Sequence, residues 1–240
     1  MYLAQLKSQV IREELGLGEE FGKIFAFVDF GNVNKWFSED RQDNENRPLM
    51  DNQFVDVDLE KLEKFLAAFS EDVRFYYGHD TDRPGSMAFL RKTKHVFGKN
   101  RVFTKPIQWV RHHITDEEAP TVTRSLFTDS DGTYIKLPKC NFDVEMSVDA
   151  MKTFARYDTF FLLSGDADFT YLNTHLRTKG KKVVILKNGH ITRQLRKSAD
   201  LVISASDIKR HVTRIESKNL AESQVSADCK PGYPGQVDGV

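Results

Sequence analysis

Apolar and polar positions change period several times along this chain, and each change marks an element. Leu3, Leu6, Val10 and Leu15 recur near helical spacing, so residues 2–17 read as an amphipathic helix ended by Gly16 and Gly18. Lys23 to Asp29 is a short apolar run, too brief for a helix, and reads as a buried strand followed by Gly31 and Asn32. Residues 41–52 are polar and unpatterned, as expected of an exposed loop. Leu59, Leu62, Leu66 and Phe69 share one helical face over residues 58–69, with Asp58 placed to cap it. Residues 73–77 read as a strand, 86–97 as a helix and 101–109 as extended chain. Asp129-Ser-Asp-Gly132 is a turn signal that predicts a β-hairpin within 121–136. A helix over 143–155 follows, with Val144, Val148, Met151 and Ala155 as its apolar stripe. Strands at 159–163, 183–186 and 201–204 alternate with helices at 169–179 and 192–198.

Strands alternating with helices predict an α/β fold with a mostly parallel sheet and helices on both faces. Ligands of such sheets bind outside the carboxyl ends of the strands. Asp29 and Asp166 each lie just past a strand's carboxyl end, so both are expected at one edge. The expected organisation is an N-terminal helical segment over 1–20, one domain over 21–210 and an extension over 211–240. The Gly- and Pro-rich residues 231–240 are expected to be disordered.

Composition narrows the class of protein. The 240 residues suffice for one substantial domain, and 40% hydrophobic with 29% charged residues is an ordinary soluble balance. The net charge is zero, so no global field marks a polyanion binder. Charge is nevertheless segregated: residues 83–115 and 169–199 each contain eight Lys or Arg and no Asp or Glu. Cys140 and Cys229 offer no disulfide framework or zinc spacing, and a reducing, cytoplasmic setting is the default expectation. Residues 1–18 do not read as a signal peptide, and no apolar stretch is long enough to span a bilayer.

Three acidic motifs stand beside apolar runs: Phe25-Ala-Phe-Val-Asp29-Phe-Gly-Asn32, Asp143-Val-Glu-Met-Ser-Val-Asp149, and Leu163-Ser164-Gly-Asp166-Ala-Asp168-Phe169. Carboxylates from separate elements hold Mg2+ or Mn2+, which prefer hard oxygen ligands, and such an ion acts on phosphodiesters. Asp29, Asp143 and Asp166 are the candidate metal ligands. Asp168 is expected beside Asp166, and Asn32 is expected to fix a water or a phosphate oxygen. Asp149, six residues after Asp143, falls about a third of a turn off its helical face, so the two converge only if Asp143 precedes the helix. Each acid has a plainer reading when taken singly: Asp143 as a cap, Asp149 as a surface acid, Asp29 and Asp166 as turn residues. Those readings explain the whole set less well.

The run Val28-Asp29-Phe-Gly-Asn32, the run Lys139-Cys-Asn-Phe-Asp143 through Asp149, and Leu163-Ser-Gly-Asp-Ala-Asp-Phe169 resemble the NYN domain, the LabA-like branch of the PIN-like nucleases. Lys179-Gly-Lys-Lys-Val-Val-Ile-Leu186 and Leu195-Arg-Lys-Ser-Ala-Asp-Leu-Val-Ile203 resemble its closing elements. The resemblance spans about residues 23–208, and Ser-Gly-Asp-Ala-Asp-Phe is its most specific part. It implies a three-layer α/β/α sandwich and a Mg2+- or Mn2+-dependent ribonuclease. Asp29, Asn32, Asp143, Asp166 and Asp168 would then be catalytic, with Asp149 and Ser164 in support. Long segments at 41–52 and 114–136 depart from a compact member of the family.

RNA, single-stranded or structured, is the expected partner, with Lys139, Lys187, Arg193 and Arg111 as its candidate contacts and no membrane involvement. The protein is expected as a monomer or homodimer. Of the aromatics in the first basic stretch, Phe89 and Phe97 fit helix spacing and read as core, whereas Trp109 is open to a stacking role. His112 and His113 read as an exposed pair and Cys140 as a packing residue. Two other functions compete: a non-catalytic RNA-binding protein of the same fold, and an aspartyl phosphatase. The second is weakened by Gly31, which stands where its general acid is needed.

Overall fold

The structure, a computed structural model, describes residues 2–115 and 125–217. In chain order it begins with helix α1 (Tyr2–Glu14), strand β1 (Ile24–Asp29), the short helix α2 (Phe30–Val33) and strand β2 (Gln53–Val57). Helix α3 (Leu59–Ala67), strand β3 (Asp72–His79), helix α4 (Pro84–Phe97) and strands β4 (Val102–Pro106) and β5 (Gln108–His113) come next. Strands β6 (Phe127–Asp129) and β7 (Gly132–Lys139), helix α5 (Asp143–Lys152), strand β8 (Thr159–Leu163) and helix α6 (Thr170–Thr178) follow. Strand β9 (Lys182–Lys187), helix α7 (Arg193–Lys197), strand β10 (Leu201–Ser204), helix α8 (Ala205–Val212) and strand β11 (Thr213–Ser217) complete the described chain.

Six parallel strands form the central sheet in the order β10-β9-β8-β1-β3-β4. Side chains alternate across it and feed two cores. Ala26 and Val28 of β1, with Phe161 and Leu163 of β8, face the helices α3, α4 and α8. Phe25 and Phe27, with Phe160 and Leu162, face α5, α6 and α7. Both faces of the central strands are covered, which is why they read as unbroken apolar runs rather than as alternating ones. From β1 the chain moves outward through β3 to β4, then returns to β8 and moves the other way. The switch in direction falls between β1 and β8, where Val28 is registered with Leu163 and both strands end toward one edge. A crevice at such a point is the natural ligand position of this architecture.

The predicted elements differ from the observed ones in three places. The extended stretch 101–109 is two strands: β4 closes the central sheet, while β5 joins β7 and β6 in a separate antiparallel sheet. The hairpin turns at Asp129–Gly132, as its turn signal indicates; residues 116–124 of the expected insertion lie outside the described residues. Strand β2 borders the polar loop and pairs with β11, so ordered structure runs to Ser217, past the expected boundary at 210. The 231–240 tail lies outside the described residues. Finally, α5 buries Met146 and Ala150 and leaves Val144, Val148 and Met151 exposed. Phe142, buried just before the helix, sets that phase one turn ahead of Met146.

Candidate active site

Asp143, Asp166 and Asp168 converge, each offering a carboxylate oxygen within 4.8 Å of the others. Two elements bring them together. Asp143 is the first residue of α5, with Phe142 at the capping position, so its carboxylate is not spent on the helix end. Asn141 holds it instead: the Asn141 amide donates to Asp143 Oδ2 at 2.6 Å and accepts from the Asp143 N–H at 2.8 Å. Asp166 caps the 3-10 turn Ala167–Phe169, its Oδ1 accepting the Asp168 N–H at 3.0 Å. That turn, rather than extended backbone, places Asp168 next to Asp166.

Asp29 ends β1 beside this group and is not one of the close trio. Its Oδ2 accepts from Ser164 Oγ at 3.0 Å, and Ser164 Oγ in turn accepts the Asp166 N–H at 3.2 Å. Asn32 accepts the Gly165 N–H at 3.2 Å. The first motif thus grips the Ser164-Gly165 backbone from which the third motif projects. Asp168 rather than Asp29 completes the close group of carboxylates, while Asp29 and Asn32 hold the loop that carries Asp166.

Electrostatics follow from burial and crowding. Burial pushes the Asp29 carboxyl up to about 6, against the Ser164 hydrogen bond, with Asp143 and Asp166 adding to the rise. Burial also raises Asp143, partly offset by Asn141 and reinforced by Asp166 and Asp168. The neighbouring cation Lys105 is committed to Glu145 at 2.6 Å and relieves Asp143 only slightly. Asp143 thus carries unfavourable charge from its acidic neighbours that a bound cation would relieve. All of its donors are hard carboxylates, so the set fits Mg2+ or Mn2+ and not a thiolate-seeking metal.

The other predicted residues divide. Asp149 points away from the site: its Oδ2 accepts from Tyr76 OH at 2.8 Å and pairs with Arg74 Nη1 at 3.1 Å. Its helical offset from Asp143 carries it into that network, because Asp143 begins the helix rather than preceding it. Lys187 is buried at 3% exposure and its ammonium is held by the carbonyls of Gly189 and His190, so it braces the 187–190 turn instead of facing a phosphate. Lys139 is exposed at the end of β7, four residues before Asp143. Arg193 is exposed at the start of α7, which packs against the 167–169 turn. Arg111 is exposed and paired with Asp129 at 3.0 Å.

Sequence reasoning missed Asn141, Lys105 and Lys35. The Asn-x-Asp spacing of Asn141 and Asp143 was a usable signal; the two lysines arrive through the fold, Lys35 close enough to Asp29 for their charges to interact. His113 also has unforeseen company, its ring within reach of Asp129 and Asp131. Cys140 packs as expected: a Cβ added at Gly78 would lie 2.5 Å from its Sγ, so only glycine lets the chain pass there on its way to Asp143.

Comparison with known proteins identifies the family of this chain. The family model described as NYN domain matches residues 42–209, well over half of the chain. The match begins downstream of Asp29 and Asn32, whose place at the site therefore rests on geometry. The Low amplitude and bright protein LabA of Synechococcus elongatus is 33% identical over 79 residues. That stretch is 32% of this chain and 42% of the relative, so well under two thirds of the relative's length is spanned. A solved structure of a protein of unknown function from Vibrio parahaemolyticus aligns over 78% of this chain and 94% of that one, with 18% identity and a TM-score of 0.48. Among the described residues, no helix is long and apolar enough to cross a membrane.

Proposed function

This chain belongs to the NYN domain family, and from that membership we propose that it is a divalent-metal-dependent endoribonuclease. One observation carries the reading: the Asp143, Asp166 and Asp168 carboxylates meet at the carboxyl edge, beside the switch point of the sheet. Asp143, Asp166 and Asp168 would hold Mg2+ or Mn2+. When bound, such an ion supplies Lewis acidity toward a phosphate oxygen and lowers the pKa of a coordinated water.

The chain's own residues do the rest. Asn141 fixes the Asp143 carboxylate, so its direction does not depend on the substrate. Asp29 and Asn32 hold Ser164 and Gly165, which sets the Asp166 turn before any ligand arrives. Preorganised ligands of this kind avoid reorganisation during reaction. Asp29 also adds negative potential, which strengthens cation binding at the edge as pH rises through about 6. Lys35, Lys139 and Arg193 stand around that edge as cations for the phosphodiester backbone, a sequence-independent attraction.

The experiment is cleavage of labelled single-stranded RNA with Mn2+ or Mg2+, comparing wild type with Asp166→Asn and Asp143→Asn. Metal-dependent cleavage lost in both variants supports the assignment. Equal cleavage in all three proteins rejects it, and RNA binding without turnover under any divalent ion replaces it with a non-catalytic binding role.

A further inference from the structure

The sheet of β5, β7 and β6 contributes nothing to the acid group, and its two faces differ in chemistry. Residues opposite one another on antiparallel strands project to the same side. Trp109 stands opposite Pro138, Arg111 opposite Lys136, and His113 and Phe127 both opposite Tyr134. One face therefore interleaves aromatic rings with cations, whereas Val110, Leu137 and Ile135 belong to the other. The side chains of the first face are already stacked. The Arg111 guanidinium lies 5.1 Å from the Tyr134 ring centre, the Lys136 ammonium 4.8 Å from that of Phe127, and Phe127 stacks on Tyr134 at 5.5 Å. Arg83, tied to Asp80 at 3.2 Å, sits 5.2 Å over the Trp109 ring.

Every residue of β5 is exposed, and Trp109 is 41% exposed; the other aromatics of the same basic stretch are drawn toward the core. On β7 Tyr134 and Pro138 are buried, whereas β5 leaves its half of the face open to solvent. Cations on it match phosphates, and rings and guanidinium planes accept unstacked bases. Asp129, also on this face, is already answered by Arg111 and His113. The sheet is joined to the main sheet at the edge that carries the acids. Ile107 alone separates β4 from β5, its N–H bonded to His79 O at 2.8 Å, and β7 ends four residues before Asp143.

We propose that this face grips single-stranded RNA, stacking bases at Trp109 and leading the strand toward the acid group. The identity of the polymer rests on the ribonuclease reading; the grip itself needs no cleavage. A duplex hides its base faces, so it forfeits the stacking contacts.

The test separates binding from turnover. With EDTA present, a fluorescent 12-nucleotide oligouridine and a duplex RNA of equal length are titrated by anisotropy. Expected is binding of the single strand about tenfold tighter than the duplex, an about tenfold loss in Trp109→Ala, and recovery in Trp109→Phe. Arg111→Ala with Lys136→Ala should flatten the salt dependence by about two phosphate contacts. Trp36 is buried, so in Trp36→Phe the remaining Trp109 emission should fall as the single strand binds. Unchanged affinity in Trp109→Ala, or equal affinity for the duplex, overturns the grip, even where wild type cleaves RNA. Trp109-dependent binding with no cleavage under any divalent ion upholds the grip while removing the nuclease. If Trp109→Ala instead breaks a dimer seen by light scattering and leaves RNA affinity unchanged, the face is a self-interface and the proposal falls.

Discussion

Among the described residues, two groups each bring three metal-capable side chains within 4.8 Å: Asp143, Asp166 and Asp168 at the sheet edge, and His113, Asp129 and Asp131 on the small sheet. Their electrostatics are opposite. Asp129 is held below the usual carboxylate range, first by its hydrogen bond with His113 and also by Arg111. Asp143 is raised by burial and by its own neighbours, and Asp29 beside it reaches about 6. The nearest cation to the first group, Lys105, is paired with Glu145, whereas the second group is paired directly with Arg111. Spacing is the same in both groups; what differs is that burial raises Asp143 whereas hydrogen bonds and Arg111 lower Asp129.

That contrast is open to direct attack. The largest expected effect is on turnover: Asp143→Asn should lower Mn2+-dependent RNA cleavage at least about 100-fold, as loss of a group stabilising the transition state does. Asp131→Asn should change it less than about twofold. Comparable losses in the two variants would erase the distinction. Next comes a stability effect that tells a structural acid from a site acid. Asp149→Ala leaves Arg74 with only its longer pairing to Asp72 and removes the acceptor of the Tyr76 hydroxyl, and should cost about 3 kcal/mol in urea unfolding, whereas Asp166→Asn should cost far less.

Metal addition should sharpen the contrast further. At Mn2+ about 100-fold above its dissociation constant, the native state gains about 2.7 kcal/mol, seen as a rise in melting temperature. Asp131→Asn should keep that rise and Asp143→Asn should lose it. The smallest effect is pH-dependent. Asp29 has a folded pKa of about 6 against 3.8 for an ordinary aspartate carboxyl. The folded state therefore binds the extra proton. The stability that Asp29 contributes is full below 3.8 and is lost as pH rises through about 6. Metal-free Asp29→Asn escapes that loss. Its advantage over wild type should grow by about 2–3 kcal/mol between pH 4 and pH 7.5, since one pKa unit is about 1.4 kcal/mol. A gap that stays constant across pH would contradict the cause assigned to the shift.

Much of the central sheet was legible because its strands are short apolar runs between turn signals, and a doubly covered strand has no other way to look. The acids were legible for the related reason that carboxylates at such strand ends have no packing role. Strand β11 was not legible. Thr-Arg-Ile-Glu-Ser has one apolar residue, Ile215, and that is exposed; the strand exists through its pairing with Val55, far away in sequence. The phase of α5 was misread because two apolar stripes compete on it, and only the tertiary position of Phe142 chooses between them. Asp149 and Lys187 show the same limit. Their residue types suited the site, but a neighbouring strand supplied Arg74 and Tyr76 to one, and a local turn supplied carbonyls to the other. The approach of His113 to Asp129 is likewise a product of cross-strand pairing.

The joint at Ile107 has a consequence for engineering. Side chains along a strand alternate, so lengthening the joint by one residue would turn Trp109, Arg111 and His113 through half a revolution and present Val110 and His112 in their place. No side chain would have been replaced and the acid edge would be untouched, yet the β5 half of the proposed strand-gripping face would lose Trp109 and Arg111. Linker parity at this point is thus a control separate from composition, one that an insertion series of one and two residues could read as loss and then return of RNA affinity.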